Sequence, residues 1–159
     1  MSFTIRFATK EDMNAVHQLI TELAVFEKEP NAVEITVQDL EHDGFSRKPK
    51  FKVFIAEEDG KVIGMALFYE RYSTWKGKAI HLEDLIVTQS KRKLGVGKAL
   101  YSKLMEYAYE NGYKRVAWEV LDWNTNAIDF YESTGAHILD GWQVVHMKED
   151  GLKRFIEQN

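Results

Sequence analysis

Between Thr88 and Leu100 the chain reads Thr-Gln-Ser-Lys-Arg-Lys-Leu-Gly-Val-Gly-Lys-Ala-Leu, with the apolar run Leu85-Ile86-Val87 before it and a helical pattern from Val96 to about Asn111 after it. Glycines at a strand-to-helix turn suit anion binding. Gly95 and Gly97 lack a Cβ, so the backbone can take positive φ and a phosphate can approach the amide N–H groups, while the helix N-terminus adds roughly half a positive charge. Lys91, Arg92, Lys93 and Lys98 raise the local positive charge further. Glycines equally mark ordinary turns. The flanking strand and helix, and Arg92 three residues before Gly95, favour the anion site. A second group with chemical potential lies just upstream: Glu83 and Asp84 are adjacent, and on a regular strand adjacent side chains face opposite ways, so the two carboxylates are not expected side by side. A solvated pair at a strand end is the ordinary reading of the same residues.

The elements that must position these groups follow from periodicity and turn chemistry. Phe3 to Phe7 alternates as a strand with one buried face. Thr9 with Asp12 caps a helix bearing Met13, Val16, Ile20, Leu23 and Ala24 at helical spacing and ending at Pro30-Asn31, and Thr36 with Asp39 starts a second helix reaching about His42. Phe51 to Ala56 and Val62 to Tyr69 form an antiparallel hairpin around Asp59-Gly60, the dipeptide of a type I′ turn. A loop through Ser73 to Gly77 leads to a third meander strand, about Ile80 to Val87. The glycine turn and its helix come next, with Val96, Leu100, Leu104, Tyr107 and Ala108 on one side and Gly112 as the C-terminal cap. Val116 to Leu121 reads as a strand parallel to its predecessor across the helical crossover. Asn124 or Asn126 caps a helix to about Thr134, and Ile138-Leu139 with Trp142 to Met147 fit a hairpin around Asp140-Gly141.

Composition sets the outer limits. A chain of 159 residues with 45% hydrophobic and 13% aromatic content can bury one core, and a single domain over 1–159 is expected. The net charge of -4 argues against sequence-independent nucleic-acid binding and mildly favours a cationic substrate. With no cysteine there is no disulfide framework, thiolate metal site or Cys nucleophile. The five histidines, His17, His42, His81, His137 and His146, show no metal-ligand spacing and read as structural or solvated, so no metal is expected. Neither a basic-then-apolar leader nor a membrane-length apolar run is present, and the expectation is a cytoplasmic protein without a membrane partner.

The order βα(α)βββαβαββ, with phosphate-type glycines after the last meander strand, resembles the GNAT acetyltransferase fold, and Arg92-Lys93-Leu94-Gly95-Val96-Gly97 fits that family's Gln/Arg-x-x-Gly-x-Gly/Ala signature. The resemblance covers the whole chain. It is similar in particular to the diamine acetyltransferases, the spermidine/spermine and thialysine enzymes, in Glu22 to Lys28, Ser73-Thr74-Trp75-Lys76-Gly77, Leu82-Glu83-Asp84, Leu121-Asp122-Trp123-Asn124 and Phe130-Tyr131-Glu132. The fold implied is α/β (α+β): a mixed sheet with an antiparallel meander and a parallel pair that splays, between Ile86 and Ala117, around the arm of an acyl-CoA.

The resemblance implies acetyl transfer from acetyl-CoA by direct attack of a small primary amine, which demands a neutral nitrogen, a stabilised oxyanion and a proton for the departing thiolate. Leu85, Ile86 and Val87 would meet the pantetheine arm through their backbone, and the segment Arg92, Lys93, Leu94, Gly95, Val96, Gly97 and Lys98 the pyrophosphate, with Asn124, Thr125 and Asn126 further cofactor contacts. Tyr131 matches the family's proton donor to the thiolate. Glu83 matches its water-assisted base, with Asp84 beside it, and Phe26, Glu27 and Trp75 complete the amine site. Helix caps would explain the asparagines, core packing Phe130-Tyr131, and a helix end Phe26-Glu27. Where the spermidine/spermine enzymes carry an aspartate this chain has Ser73, as thialysine-type enzymes do, so a lysine-like or short diamine substrate is expected over spermine. Acetylation of a protein lysine or N-terminal amine, and a regulatory acyl-CoA-binding domain that turns nothing over, are the competing readings. A homodimer whose clefts draw residues from both subunits is also implied.

Overall fold

The computed structural model describes residues 2–158. The chain divides into two compact units, Met1–Glu119 and Val120–Asn159.

The first unit is built on a five-stranded sheet in the order β1-β2-β3-β4-β5, made of β1 Thr4–Phe7, β2 Lys52–Glu58, β3 Lys61–Ser73, β4 Gly77–Val87 and β5 Val116–Ala117. The first four strands are antiparallel neighbours and β5 lies parallel to β4. Asp59 and Gly60 join β2 to β3 with φ of 50° and 73°, the two positive angles that a type I′ turn requires. Helices α1 Met13–Phe26 and α2 Val37–Phe45 cover one face, and α3 Val96–Glu110 covers the other. A one-turn 3₁₀ segment, Lys10–Asp12, precedes α1 under the expected Thr9/Asp12 capping box, and Thr36 accepts from Asp39 N at the start of α2.

Both faces are dry. On the α3 side Phe54, Phe68, Ile80 and Leu82 pack against Val96, Leu100 and Leu104, and on the α1 side Val53, Ile55, Met65 and Ile86 pack against Met13, Val16 and Leu19. Each such side chain contributes about 1.5–3 kcal/mol relative to exposure, and because β2 is buried on both faces its sequence runs apolar without alternation.

Several boundaries differ from the sequence expectation. Helix α1 ends at Phe26, four residues before Pro30, because Lys28 takes φ 65° and a Schellman pair closes the helix: Lys28 N bonds Val25 O and Glu29 N bonds Ala24 O. Helix α2 continues through Gly44, where a Cβ would stand 2.7 Å from the Phe51 ring. The β3-β4 hairpin is longer than expected at its tip. Strand β5 is shorter, Val116–Ala117 rather than a run to Leu121. Its ladder covers Ile80↔Val116 and His81↔Ala117 and ends where a bulge in β4 begins. A bulge breaks the ladder locally and increases twist, so the regular pairing cannot extend past it.

That bulge also overturns the expectation for Glu83 and Asp84. Strand β4 pairs Leu82 with Phe68 and Asp84 with Leu67, so Glu83 is the extra residue. Its effect on phase is visible in the core: Ile80 and Leu82 pack on the α3 side, yet Ile86 packs on the α1 side, which an unbroken period of two forbids. Asp84 follows the shifted phase of Ile86 and its partner Leu67, while Glu83 keeps the side of His81. Both carboxylates therefore face the α1 side.

The second unit contains α4 Thr125–Ser133 and α5 Glu149–Gln158. Asn124 is the N-cap of α4, its side chain accepting from Ala127 N. The expected hairpin is absent among the described residues. Gly141 takes φ 83° in a turn with Asp140, but Ile138-Leu139 and Trp142 to Met147 form no ladder. These residues are largely exposed, Val145 by 87%, and two strands without a covered apolar face are not held together in water. Helix α5 was not anticipated, although Leu152, Phe155 and Ile156 have helical spacing.

Candidate active site

The glycine turn is built as its sequence dictates. After β4, a 3₁₀ turn at Gln89–Lys91 leads to Lys93 at φ 66° and Gly95 at φ 82°, and Gly95 is the N-cap of α3. Its carbonyl accepts from Ala99 N at 3.0 Å, the first bond of the helix, so the amides of Val96, Gly97 and Lys98 precede the helical ladder and find no side-chain cap. Gly97 has ordinary helical φ, and a Cβ there would meet only Val87 Cγ2, at 3.5 Å. Neither backbone nor packing within the protein requires glycine at 97. The missing Cβ leaves room for an anion to approach those amides.

Not all the local cations face outward. Lys91 pairs with Glu58, and Arg92 turns back into the protein: Nε donates to Val87 O at 2.9 Å, one terminal nitrogen lies 3.7 Å from Glu22 Oε1, and its guanidinium lies 5.1 Å from the centre of the Phe26 ring. Glu22 meanwhile accepts from Thr88 Oγ1 and Gln89 N. Arg92 and Glu22 thus tie the end of β4 to the C-terminal turn of α1. Lys93, Leu94 and Lys98 are exposed. Strand β4 is bonded to β3 throughout, but on its other edge only Ile80 and His81 pair with β5, so the backbone from Leu82 through Leu85, Ile86 and Val87 has no strand neighbour there among the described residues. An extended chain can pair with such an edge.

The acidic groups gather beside it. Asp84 is half-buried, and its carboxyl is pushed up to about 6, first by burial and then by the charges of Glu83 and Glu27. Desolvation raises Glu27 as well. The Schellman turn at Lys28 is what stops α1 with Phe26 and Glu27 at its tip, so the site gains Glu27 from a helix terminus and Glu83 with Asp84 from a strand irregularity. Glu83 itself accepts a hydrogen bond from the Tyr69 hydroxyl at 2.9 Å. Close carboxylates disfavour one another's ionisation and together attract a cation. Among the described residues no group of three or more His, Asp or Glu side chains is arranged to hold a metal ion.

Trp75 does not join this cluster within one chain. It sits at the tip of the long β3-β4 hairpin, 80% exposed, and since Glu83 lies opposite Phe68 and Leu67, five residues or so along β3 from Ser73, the separation is roughly 17 Å. Trp75 is thus set apart from Glu27 and Glu83, with which it was expected to complete the amine site. Ser73 is buried, and its hydroxyl oxygen accepts from Trp75 N and Lys76 N. Asn124, Thr125, Asn126 and Tyr131 belong to the second unit. Tyr131 is half-buried on α4, its ring 5.6 Å from Phe130. Sequence reading missed Tyr69 and Glu22, and took His81 for a structural or solvated residue. His81 and Glu83 stand two apart on a strand, a spacing that already puts them on one face, whereas Tyr69 becomes visible only through the β3-β4 register.

Comparison with known proteins gives this geometry its context. Residues 13–136 match the acetyltransferase (GNAT) family. The chain is similar to the thialysine N-epsilon-acetyltransferases of Bos taurus, 34% identical over 94% of each chain, and Caenorhabditis elegans, 35% identical over 99% of each. Among solved structures it is similar to an integron cassette protein from the mobile metagenome of V. cholerae, with a TM-score of 0.80, 27% identity and 99% of each chain covered. The family match runs through the glycine turn, the bulged strand and α4 alike, and the chain belongs to the GNAT family of N-acetyltransferases.

Proposed function

We propose that this N-acetyltransferase transfers the acetyl group of acetyl-CoA directly to the primary amine of a small, thialysine-like, lysine-like or short-diamine substrate, and that residues 1–159 work as one catalytic domain. The observation that carries the reading is the convergence of Glu27, Glu83 and Asp84 on the α1 side of β4, the strand that runs on into the glycine turn and the uncapped amides at the start of α3. An anionic cofactor and a cationic substrate each find the charge they need. The similarity to thialysine acetyltransferases supports the substrate class.

Acetyl-CoA, when bound, supplies an activated acetyl thioester. The amides of Val96, Gly97 and Lys98, with Lys93 and Lys98, would hold the pyrophosphate, and the open edge at Leu85, Ile86 and Val87 would receive the extended arm and offer it a backbone N–H. Arg92 acts on the cofactor indirectly by fixing the loop. By the family resemblance Asn124, Thr125 and Asn126 would add cofactor contacts. Glu83 takes the proton of the arriving ammonium through water, Asp84 and Glu27 hold the cation, Phe26 packs on its alkyl chain, and Tyr131 donates a proton to the departing thiolate. With a phenol near pKa ~10 and a thiol near ~8.5, that transfer relies on a close hydrogen bond rather than on driving force.

The enzyme acts as a homodimer in this reading. Trp75 and Tyr72 project from the hairpin tip at 80% and 73% exposure, and the second unit exposes Leu139, Trp142 and Val145. In a dimer Trp75 lies against the ammonium chain held by the partner. Thiol release from acetyl-CoA, measured with and without thialysine, lysine, putrescine, spermidine, spermine and a lysine-containing peptide, tests the reading. Turnover with the small amines supports it. Turnover with the peptide alone makes the protein a protein acetyltransferase, and binding without thiol release makes it a cofactor-sensing domain.

A further inference from the structure

The carboxylate of Glu83 is held in place. Its Oε2 accepts the Tyr69 hydroxyl at 2.9 Å and lies 3.5 Å from His81 Nε2. His81 is buried, its ring centre 5.3 Å from that of Tyr69, and its Nδ1 stands 3.4 Å from Arg71. A guanidinium can only donate, so Nδ1 is the acceptor in that contact and the ring proton of the neutral imidazole resides on Nε2, toward Glu83. With Nδ1 turned to a cation and Nε2 already protonated, His81 has no place to receive a substrate proton. Orientation is what remains for it to do.

We infer that Tyr69 and His81, the latter backed by Arg71, are positioning residues that engage Oε2 of Glu83 and leave Oε1 as the oxygen presented to the substrate ammonium or its bridging water. The inference rests on the reading of Glu83 as the base. Without these contacts an extra residue on a bulged strand, half-exposed at its side chain, would sample several rotamers. Tyr69 remains a donor at all working pH, since burial and the neighbouring Glu83 push its hydroxyl up to about 12. The ionisable groups around Glu83 are Tyr69 and Arg71 on β3, His81 and Asp84 on β4, Glu27 at the end of α1 and, beyond β5, Glu119.

The test is steady-state kinetics across pH for Tyr69→Phe, His81→Gln, His81→Ala and Glu83→Gln, each checked for folding by circular dichroism. An ionised carboxylate that loses a donor is protonated at higher pH, so in Tyr69→Phe the acid limb of kcat/KM for the amine moves up by roughly half to one pH unit and kcat falls about 10-fold, while KM for acetyl-CoA stays put. His81→Gln, which can retain an N–H near Nε2, keeps activity within about threefold, and His81→Ala loses about 10-fold. A merely packing role lowers stability without moving the limb. A folded Tyr69→Phe enzyme with the parental limb and kcat, in a series where Glu83→Gln is inactive, overturns the positioning role and leaves the base reading intact. Parental turnover in Glu83→Gln removes both.

Discussion

Asp84→Asn should make the protein more stable and a worse enzyme. In the folded state the Asp84 carboxyl is pushed up to about 6 from its ordinary 3.8, by burial first and then by Glu83 and Glu27. The native protein therefore keeps a proton between about pH 4 and 6 that the unfolded chain has already released. The unfolded state binds fewer protons in that window, so this group's contribution to stability falls as pH rises through it and stays low above it. About two units at 1.36 kcal/mol each sets the penalty of the ionised form at no more than ~3 kcal/mol. Asparagine has nearly the same shape and no charge. At pH 8 the variant should be more stable than the parent by about 1–3 kcal/mol, a rise in Tm of roughly 3–10 °C, and at pH 4 or below the advantage should shrink to a few tenths of a kcal/mol. If Asp84 holds the ammonium as proposed, the same change removes that charge, so KM for the amine should rise on the order of 10-fold with KM for acetyl-CoA unchanged. Urea unfolding followed by tryptophan fluorescence at pH 4 and 8, together with amine kinetics, measures both. Groups such as Asp12, held below its usual range mainly by Arg6, titrate in both proteins and cancel in the difference. A variant no more stable than the parent at pH 8 would refute the argument that Asp84 is ionised at a cost in this cluster.

Gly97→Val should fold, because the first added carbon meets Val87 Cγ2 at an ordinary 3.5 Å, yet lose acetyl-CoA affinity by more than about 10-fold in calorimetry; unchanged affinity would dismiss the anion site. Tyr131→Phe keeps the ring and removes the proton, so cofactor affinity should persist while kcat drops about 10²–10⁴-fold, and turnover within roughly threefold of the parent would return Tyr131 to packing. Ser73→Asp keeps an oxygen that can accept from Trp75 N and Lys76 N while adding a charge, so kcat/KM for spermidine and spermine should rise relative to thialysine; an unaltered ranking would show that this turn does not set specificity.

What the sequence shows of this protein is whatever is decided within a few residues. Asp59-Gly60 takes the two positive φ angles its turn type demands, and Thr9 with Asp12 and Thr36 with Asp39 cap as their spacing says. The apolar stripe Val96, Leu100, Leu104, Ala108 lies on the sheet. The segment after Gly135 fails for the complementary reason: strands are decided by what they pair with, and apolar residues such as Val144 and Val145 say nothing of where a partner lies. The acidic half of the site falls between these cases. Treating Glu83 and Asp84 as residues of a regular strand separates them, and the error comes from the assumption of regularity. The apolar positions of β4 that pack on the α3 side are Ile80, Leu82, Leu85 and Val87. Their spacing breaks from two to three between Leu82 and Leu85, and a strand that keeps one face on the same helix across such a break must carry an extra residue within it. That residue is Glu83 or Asp84 whichever way the bulge is drawn, so the phase slip itself brings the carboxylates to one face. The core of α3 thus dictates the chemistry of the opposite side of the sheet, since only an odd insertion lets β4 keep its apolar contacts while turning two adjacent acids toward α1.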